Sequence, residues 1–300
     1  MIGMNGSKMA KGYIYAIISA VIYGCMPLMA KHIYADGVNA MTLVFLRNFL
    51  ALPVLAVLAL LQSKTLKVPV KAIGSISVPA LFGCCVTPVL LFSSYNYIPS
   101  GTATVFHFIY PCLVVLIGLV FLRKKVHLGT LLSLILCLGG ICLFYKPGAV
   151  FHWGGGALAL GSGVTFATYV VLLSVYKNKE ISGFLFTFYT ALSSSVLMGL
   201  ACLLTGSLAL PQSLLGWGLC LLFAVGVTVG AVVLFQQGTF IIGGERASIL
   251  STLEPITSVV VGVLFLNETV GLQDYIGAAL VVAASVLIAV FDMKKLPNMQ

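Results

Sequence analysis

The sequence predicts an all-α membrane protein of about ten transmembrane helices, arranged as two inverted five-helix repeats. Three observations lead there. The chain is 60% hydrophobic and 8% charged with mean hydropathy +1.14, whereas a soluble domain carries about 25% charged residues. Its basic residues gather on alternate connecting segments. And Thr102–Val126 (TATVFHFIYPCLVVLIGLVFLRKKV) is repeated without a gap as Arg246–Val270 (RASILSTLEPITSVVVGVLFLNETV), so that Ala103 falls on Ala247, Pro111 on Pro255, Gly118 on Gly262 and Phe121-Leu122 on Phe265-Leu266.

A spanning helix needs about 20 apolar residues, and such runs follow one another along the chain. The first set lies near Gly12–Tyr34, Met41–Leu61, Ile76–Tyr95, Thr102–Leu122 and Leu128–Tyr145; the second near Gly156–Tyr176, Phe184–Leu204, Leu214–Gln236, Ala247–Leu266 and Leu272–Phe291. The gaps are short and hold turn formers: Asp36-Gly37, Ile98-Pro99-Ser100-Gly101, Lys146-Pro147-Gly148, Pro211 and Gly243-Gly244. No gap is long enough for a soluble domain. The first apolar run is of span length and lacks a small-residue cleavage site, so it reads as a span rather than a signal peptide.

Charge orients the bundle. With a cytoplasmic N-terminus, the inner side gathers Lys8, Lys11, Lys64, Lys67, Lys71, Arg123, Lys124, Lys125, Lys177, Lys179, Arg246, Lys294 and Lys295, leaving Lys31 and Lys146 outside and Arg47 within a span. Positive charge stays where it need not cross the bilayer, so both termini are expected in the cytoplasm of a bacterial inner-membrane protein. The net charge of +9 therefore reports topology and anionic headgroups rather than nucleic acid. With an odd number of spans per half, the second copy enters the membrane upside down, the arrangement by which two similar halves can open alternately to either side. Sequence pattern alone leaves a channel open.

The second half, GTFIIGGERASILSTLEPITSVVVGVLFLNETVGLQDYIGAALVVAASVLI, resembles the C-terminal module of EamA-type members of the drug/metabolite transporter superfamily. Gly244, Ala247, Glu254-Pro255, Gly262, Asn267-Glu268 and Gly277 carry that likeness; Tyr23-Gly24, Phe45-x-Arg47 and Tyr110-Pro111 carry that of the first half to the partner module. The resemblance implies one module over 12–145 and a second over 156–291, ten helices, and carriage of small metabolites, very often amino-acid export. Members also handle sugars, nucleotide derivatives and cationic drugs. One position departs: the acid after the helix, Glu268 in the second module, is Lys124 in the first.

Polar residues inside spans are the functional candidates, because each is costly in lipid. Glu254 falls near mid-membrane with Ser251 at i−3 and Thr257 and Ser258 at i+3 and i+4. Two readings fit it: a cavity-facing proton or substrate-amine site, or a carboxyl locked to hydroxyls and to carbonyls freed by Pro255. His107 and Tyr110 match Ser251 and Glu254 in the repeat and should approach the same cavity from the other half. His107 suits a proton relay or a neutral hydrogen bond between helices. Arg47 is expected to have a structural or gating role; a substrate carboxylate, Glu254, or the outer headgroups by snorkelling are its other partners. Tyr15, Ser19 and Tyr23 share a face of the first span; Ser162, Thr165, Tyr169 and Tyr176 share one of the sixth. Tyr23 and Tyr169 lie deeper than the interfacial Tyr15 and Tyr176, as aromatic cavity walls or as plain packing.

The cysteines (Cys25, Cys84, Cys85, Cys112, Cys137, Cys142, Cys202 and Cys220) fall within spans without metal-binding spacing, and no glycine-rich phosphate loop occurs. No cofactor and no metal are expected, and the chain is not expected to be an enzyme. The expectation is a secondary carrier that exports a small-molecule substrate such as an amino acid across the lipid bilayer by alternating access, coupled to the proton gradient or as simple facilitated exit, working as a monomer or homodimer; a membrane-embedded enzyme or passive channel is the alternative. A topology test follows. Reporter fusions should place Lys124 in the cytoplasm and Lys146 outside, and a periplasmic signal at Lys124 would overturn the charge argument.

Overall fold

The computed structural model describes residues 6–98, 100–122, 128–143, 152–176, 181–266 and 271–293. Pro99, Arg123–Lys125, Val126, the Tyr145–Gly148 segment with Lys146, Lys177, Lys179, Asn267-Glu268, Val270 and Lys294-Lys295 lie outside the described residues. Among the described residues every regular element is helical. The first half comprises α1 (Ser7–Ala35), α2 (Ala40–Ser63) and α3 (Val70–Ser94), then α4 (Ser100–His107 and Tyr110–Val120) and α5 (Leu128–Leu143). The second comprises α6 (Trp153–Val175), α7 (Gly183–Leu204) and α8 (Leu214–Ile242). It ends with α9 (Gly244–Leu250, a Ser251–Leu253 3-10 turn and Glu254–Leu266) and α10 (Leu272–Met293). The helices α1, α2, α3, α6, α7 and α8 are each long and apolar enough to cross a membrane.

Two helices extend furthest beyond their apolar runs. α3 begins at Val70, not Ile76, and α8 runs past Gln236 to Ile242, where Gly243 at φ +84° stops it. Hydropathy marks the stretch that lipid or core must cover, whereas a helix continues until its backbone bonding is interrupted. A left-handed residue after the last turn is such an interruption, and glycine takes it without Cβ strain.

Prolines shape the interior. Pro27, Pro88, Pro111 and Pro255 sit at α1, α3, α4 and α9. Each lacks the N–H that would bond the carbonyl four residues earlier, at Tyr23, Cys84, His107 and Ser251. α1 is broken at Cys25, α4 turns at Phe108–Ile109, and α9 tightens to 3-10 over Ser251–Leu253. In the register of the repeat the α4 and α9 breaks coincide. α3 and α8 likewise each contain wider π-type turns, over Leu81–Val86 and Ala224–Val232. Other helices attend to the freed carbonyls. Asn48 Nδ2 on α2 reaches Cys84 O at 3.4 Å, and Gly163 of α6 lies so close to His107 O that a Cβ would stand 2.7 Å from it.

The packing is exchange-related. α1 packs on α8 as α6 packs on α3; α1 packs on α9 as α6 packs on α4; α2 pairs with α7, α5 with α10 and α4 with α9. Thus contacts between the halves come in matched pairs. The outer surface keeps large apolar side chains: Phe121 is 76% and its repeat mate Phe265 70% exposed. Such a rim suits lipid as its solvent, not water.

Two clasps join the halves beyond the helices. In one, the α1–α2 connection meets the α7–α8 connection. Asp36 Oδ2 accepts from the backbone N–H of Gln212 at 2.9 Å and Ser213 at 3.1 Å, and Thr42 Oγ1 donates to Ser207 O at 3.2 Å while accepting from Ala209 N at 3.0 Å. Asn39 caps α2 through Thr42 N and donates to Ser207 O. In the other, Ser63 Oγ meets Ser182 Oγ at 2.5 Å, and the Tyr189 hydroxyl donates to Leu66 O at 2.8 Å.

Asp36 lies beyond the end of α1, and the Ser213 hydroxyl and the backbone N–H groups of Ser213 and Gln212 hold its carboxyl below the ordinary aspartate range. All these donors favour the ionised form. A depressed folded value means that this stabilisation is present above the ordinary pKa of about 3.9 and is lost as pH falls through the lower folded value. Asp36→Asn should therefore lower the thermal midpoint at neutral pH and flatten its fall in acid. Midpoints measured in detergent between about pH 6 and pH 3 check this, and an unchanged acid limb in the variant would refute the role of Asp36.

Candidate functional site

The broken helices meet around a cavity that is partly open to its surroundings. Tyr23 and Met26 come from α1, Arg47 from α2, Thr87 and Pro88 from α3, His107 and Tyr110 from α4, Phe166 from α6, and Ser251 and Glu254 from α9. Of the residues singled out in the sequence, Tyr23, Arg47, His107, Tyr110, Ser251 and Glu254 are brought together here. Tyr169 is not a lining residue. It is buried behind Phe166, with its ring against Gly83, where a Cβ would lie 2.3 Å from Tyr169 Cγ.

Glu254 is half-buried at the start of the α9 segment that follows the 3-10 turn. The hydroxyls expected to hold it are committed to their own helix: Ser251 Oγ donates to Ala247 O at 2.9 Å and Thr257 Oγ1 to Leu253 O at 3.3 Å. Each hydroxyl has one hydrogen, so neither is free to donate to the carboxyl. The carboxyl faces the cavity, with the rings of Tyr23, Tyr95 and Tyr110 near enough to feel its charge.

His107 bridges α4 to α6, with Nδ1 2.8 Å from Ser162 Oγ. Ser162 gives its hydrogen to Ala159 O at 2.6 Å. The histidine must therefore donate from Nδ1, which leaves Nε2 as the unprotonated nitrogen of the neutral ring. Tyr110 reaches from α4 to α9, its hydroxyl directed to Ser248 O at 3.4 Å. Arg47 is 3% exposed, so its side chain does not snorkel to headgroups, and its Nε–H has no acceptor.

Behind the cavity the core is aromatic. Phe166 stands edge-on to Tyr110 at 4.7 Å and packs against Phe235 at 5.5 Å and Tyr169 at 5.6 Å. The Tyr169 hydroxyl accepts from Gln236 Nε2 at 3.0 Å, and Gln236 Oε1 meets the Thr187 hydroxyl at 2.5 Å. A second tier of Tyr176, Phe186 and Phe240 follows, with rings 4.8 and 5.1 Å apart. Edge-on and tilted arrangements of this kind are the ones that aromatic pairs prefer over a face-to-face sandwich.

Sequence reading missed Met26, Gly83, Thr87, Pro88, Leu91 and Phe166. Phe166 was accessible in principle, since it lies four residues after Ser162 and three before Tyr169 on one face of α6. Thr87 bonds Thr165 across the α3–α6 contact at 2.7 Å, a pairing that no single-helix pattern reveals.

The family model for "EamA-like transporter family" matches residues 10–146 and 153–290. Curated relatives include an "Uncharacterized transporter" of Archaeoglobus fulgidus, 29% identical over 293 residues that make up 94% of this chain and 97% of the relative. "Uncharacterized transporter YcbK" of Bacillus subtilis is 26% identical, covering 89% of each chain. "Uncharacterized inner membrane transporter YicL" of Salmonella typhimurium is 23% identical, covering 95% of this chain and 97% of the relative. A crystal structure of a protein 17% identical in sequence aligns over 95% of this chain and 98% of its own with a TM-score of 0.77, which is a likeness of fold.

The site depends on a close approach of α1 to α9. A Cβ on Gly24 would stand 2.4 Å from Thr257 Cβ and 2.7 Å from the Glu254 carbonyl oxygen, both inside van der Waals contact and one of them backbone. Gly24→Ala should therefore destabilise by about 1–3 kcal/mol, the usual cost of overpacking. Gly226→Ala, with nothing within 4 Å of its Cβ position, should be neutral or stabilising. Unfolding midpoints of the two variants compare them, and equal midpoints would show that α1 and α9 are not held at this spacing.

Proposed function

The chain belongs to the EamA-like transporter family, a family of multi-pass membrane proteins, and on that premise we propose a secondary carrier that exports a small metabolite, such as an amino acid, by alternating access coupled to protons. The observation that carries the proposal is Glu254, a carboxyl without a hydrogen-bond partner among the described residues, facing a cavity framed by helices of both halves. A carboxyl so placed is able to hold a proton when the cavity is dry and to release it when water or a substrate amine enters.

The inverted ten-span arrangement is part of this reading. It is supported by the matched contacts of α1–α8 with α6–α3 and α1–α9 with α6–α4, by the coincident breaks of α4 and α9, and by the two matches of the family model. Two similar halves that meet at a cavity are able to exchange conformations, opening the cavity to one side and then the other. The charge distribution supports cytoplasmic termini, and the printed name of the Salmonella relative supports the bacterial inner membrane. Lipid and a small solute are the partners required, with one or two copies of the chain as the working unit.

Membership points to a transporter rather than an enzyme.

The test uses a solute identified by comparing metabolite release from cells with and without the protein. In proteoliposomes, Glu254→Gln should keep exchange of that solute at equal pH and lose its acceleration by an imposed pH gradient. Wild-type pH dependence in the Gln variant would make Glu254 a structural carboxyl at a bend. Counterflow that fails to saturate with solute in the wild type would replace the carrier with a channel.

A further inference from the structure

Arg47 stands out among the groups around the cavity. Its guanidinium is buried, it lines the cavity, and its Nε–H finds no acceptor. Among the described residues no carboxylate lies within ion-pair distance of it. The Cys84 thiol accepts a hydrogen bond from it, and the neutral hydroxyls of Tyr23 and Tyr169 lie within its field. A thiol is a weak acceptor, and a guanidinium stays charged throughout the accessible pH range. A buried cation left in this state is costly, and the cost is offset when an anion enters and accepts its N–H groups.

We propose that Arg47 is the anion subsite of the cavity and that the transported solute carries a single carboxylate, which docks on the guanidinium while its apolar body lies against Met26, Pro88, Leu91 and Phe166. The proposal rests on the transporter reading above and adds the chemical class of the solute. Carboxylate is favoured over phosphate by charge balance. Among the described lining residues Arg47 is the one permanent cation. A phosphate monoester is largely dianionic at neutral pH and would leave a negative charge uncompensated in the cavity that also holds Glu254. A carboxylate matches the guanidinium both in charge and in its planar, two-pronged geometry. Whether the solute also carries an amine, which Glu254 would receive, is separated by the probes.

The experiment measures the unfolding midpoint of the purified full-length protein in detergent with 4-methylpentanoate, L-leucine, L-leucinamide or inorganic phosphate. The two carboxylates should raise the midpoint, and leucinamide and phosphate should leave it in place. A larger shift with leucine than with 4-methylpentanoate assigns the amine to the solute; equal shifts assign a plain organic acid. Arg47→Gln removes the cation and should weaken 4-methylpentanoate binding by about 10- to 100-fold, the range expected for hydrogen bonds to a charged group. Without ligand that variant should unfold at a higher temperature than the wild type, because an uncompensated buried charge is gone. Arg47→Lys keeps the charge without the planar fork and should bind at an intermediate level. An Arg that merely supports the fold predicts the opposite: Arg47→Gln unfolds earlier and retains the ligand shift. That result overturns the proposal, as do stabilisation by leucinamide or phosphate equal to that by leucine and a wild type that responds to neither carboxylate. A wild type shown to carry a solute without a carboxylate loses this subsite and remains a transporter.

Discussion

Backbone hydrogen bonding inside a bilayer is the constraint on which the rest of this structure depends. Lipid offers no replacement for a missing N–H, so an interrupted helix survives at membrane depth only where protein or a water-filled space attends to its carbonyls. Six prolines lie within the described helices: Pro53 and Pro79 free the carbonyls of Phe49 and Ser75, which do not line the cavity, whereas Pro27, Pro88, Pro111 and Pro255 free those of Tyr23, Cys84, His107 and Ser251. Three of those four line the cavity, and the fourth lies between the lining residues Gly83 and Thr87. The cavity is thus located at four of the six proline interruptions. Asn48 on the Cys84 carbonyl and the bare face of Gly163 over the His107 carbonyl show the neighbouring helices adapting to the same requirement.

Much of the fold was legible because lipid makes one demand that composition records directly. Long apolar runs became α1, α2, α3, α6, α7 and α8. The ungapped repeat set Pro111 against Pro255, and the structure breaks both helices beside them, next to Tyr110 and Glu254. Helix ends were less legible: the π-type turns and the continuation of α8 beyond Gln236 are decided by backbone bonding, to which hydropathy is blind.

The site was legible in its charged members and obscure in its neutral ones. Glu254, Arg47 and His107 are conspicuous against an apolar background, so sequence alone could nominate them. Phe166 is one aromatic among many, and only its position between Ser162 and Tyr169 marked it. The state of each polar group was beyond the sequence altogether. Ser251 and Thr257 have the spacing to hold the Glu254 carboxyl, yet their hydrogens are given to Ala247 and Leu253. Whether a hydroxyl serves a neighbouring side chain or its own helix depends on rotamer and on what packs against it. Arg47 was similar: its depth in the span was readable, but the absence of an acceptor for Nε required the surrounding side chains.

The two clasps between the halves are exchange-related in position and unlike in chemistry. One is a carboxylate and an amide gripping backbone N–H and carbonyl groups from Asp36 to Ser213; the other joins Ser63 to Ser182 and Tyr189 to Leu66 through neutral hydroxyls. In an inverted pair these joints fall on opposite faces of the membrane. A machine with equal joints would rest halfway as readily on one side as on the other. Unequal joints give it a preferred resting posture, tuned by residues that never meet the cargo. If the halves alternate as proposed, drift in a surface loop would alter how long the protein waits on each side, leaving what it recognises untouched, and so allow the tempo and the selectivity of such a protein to evolve separately.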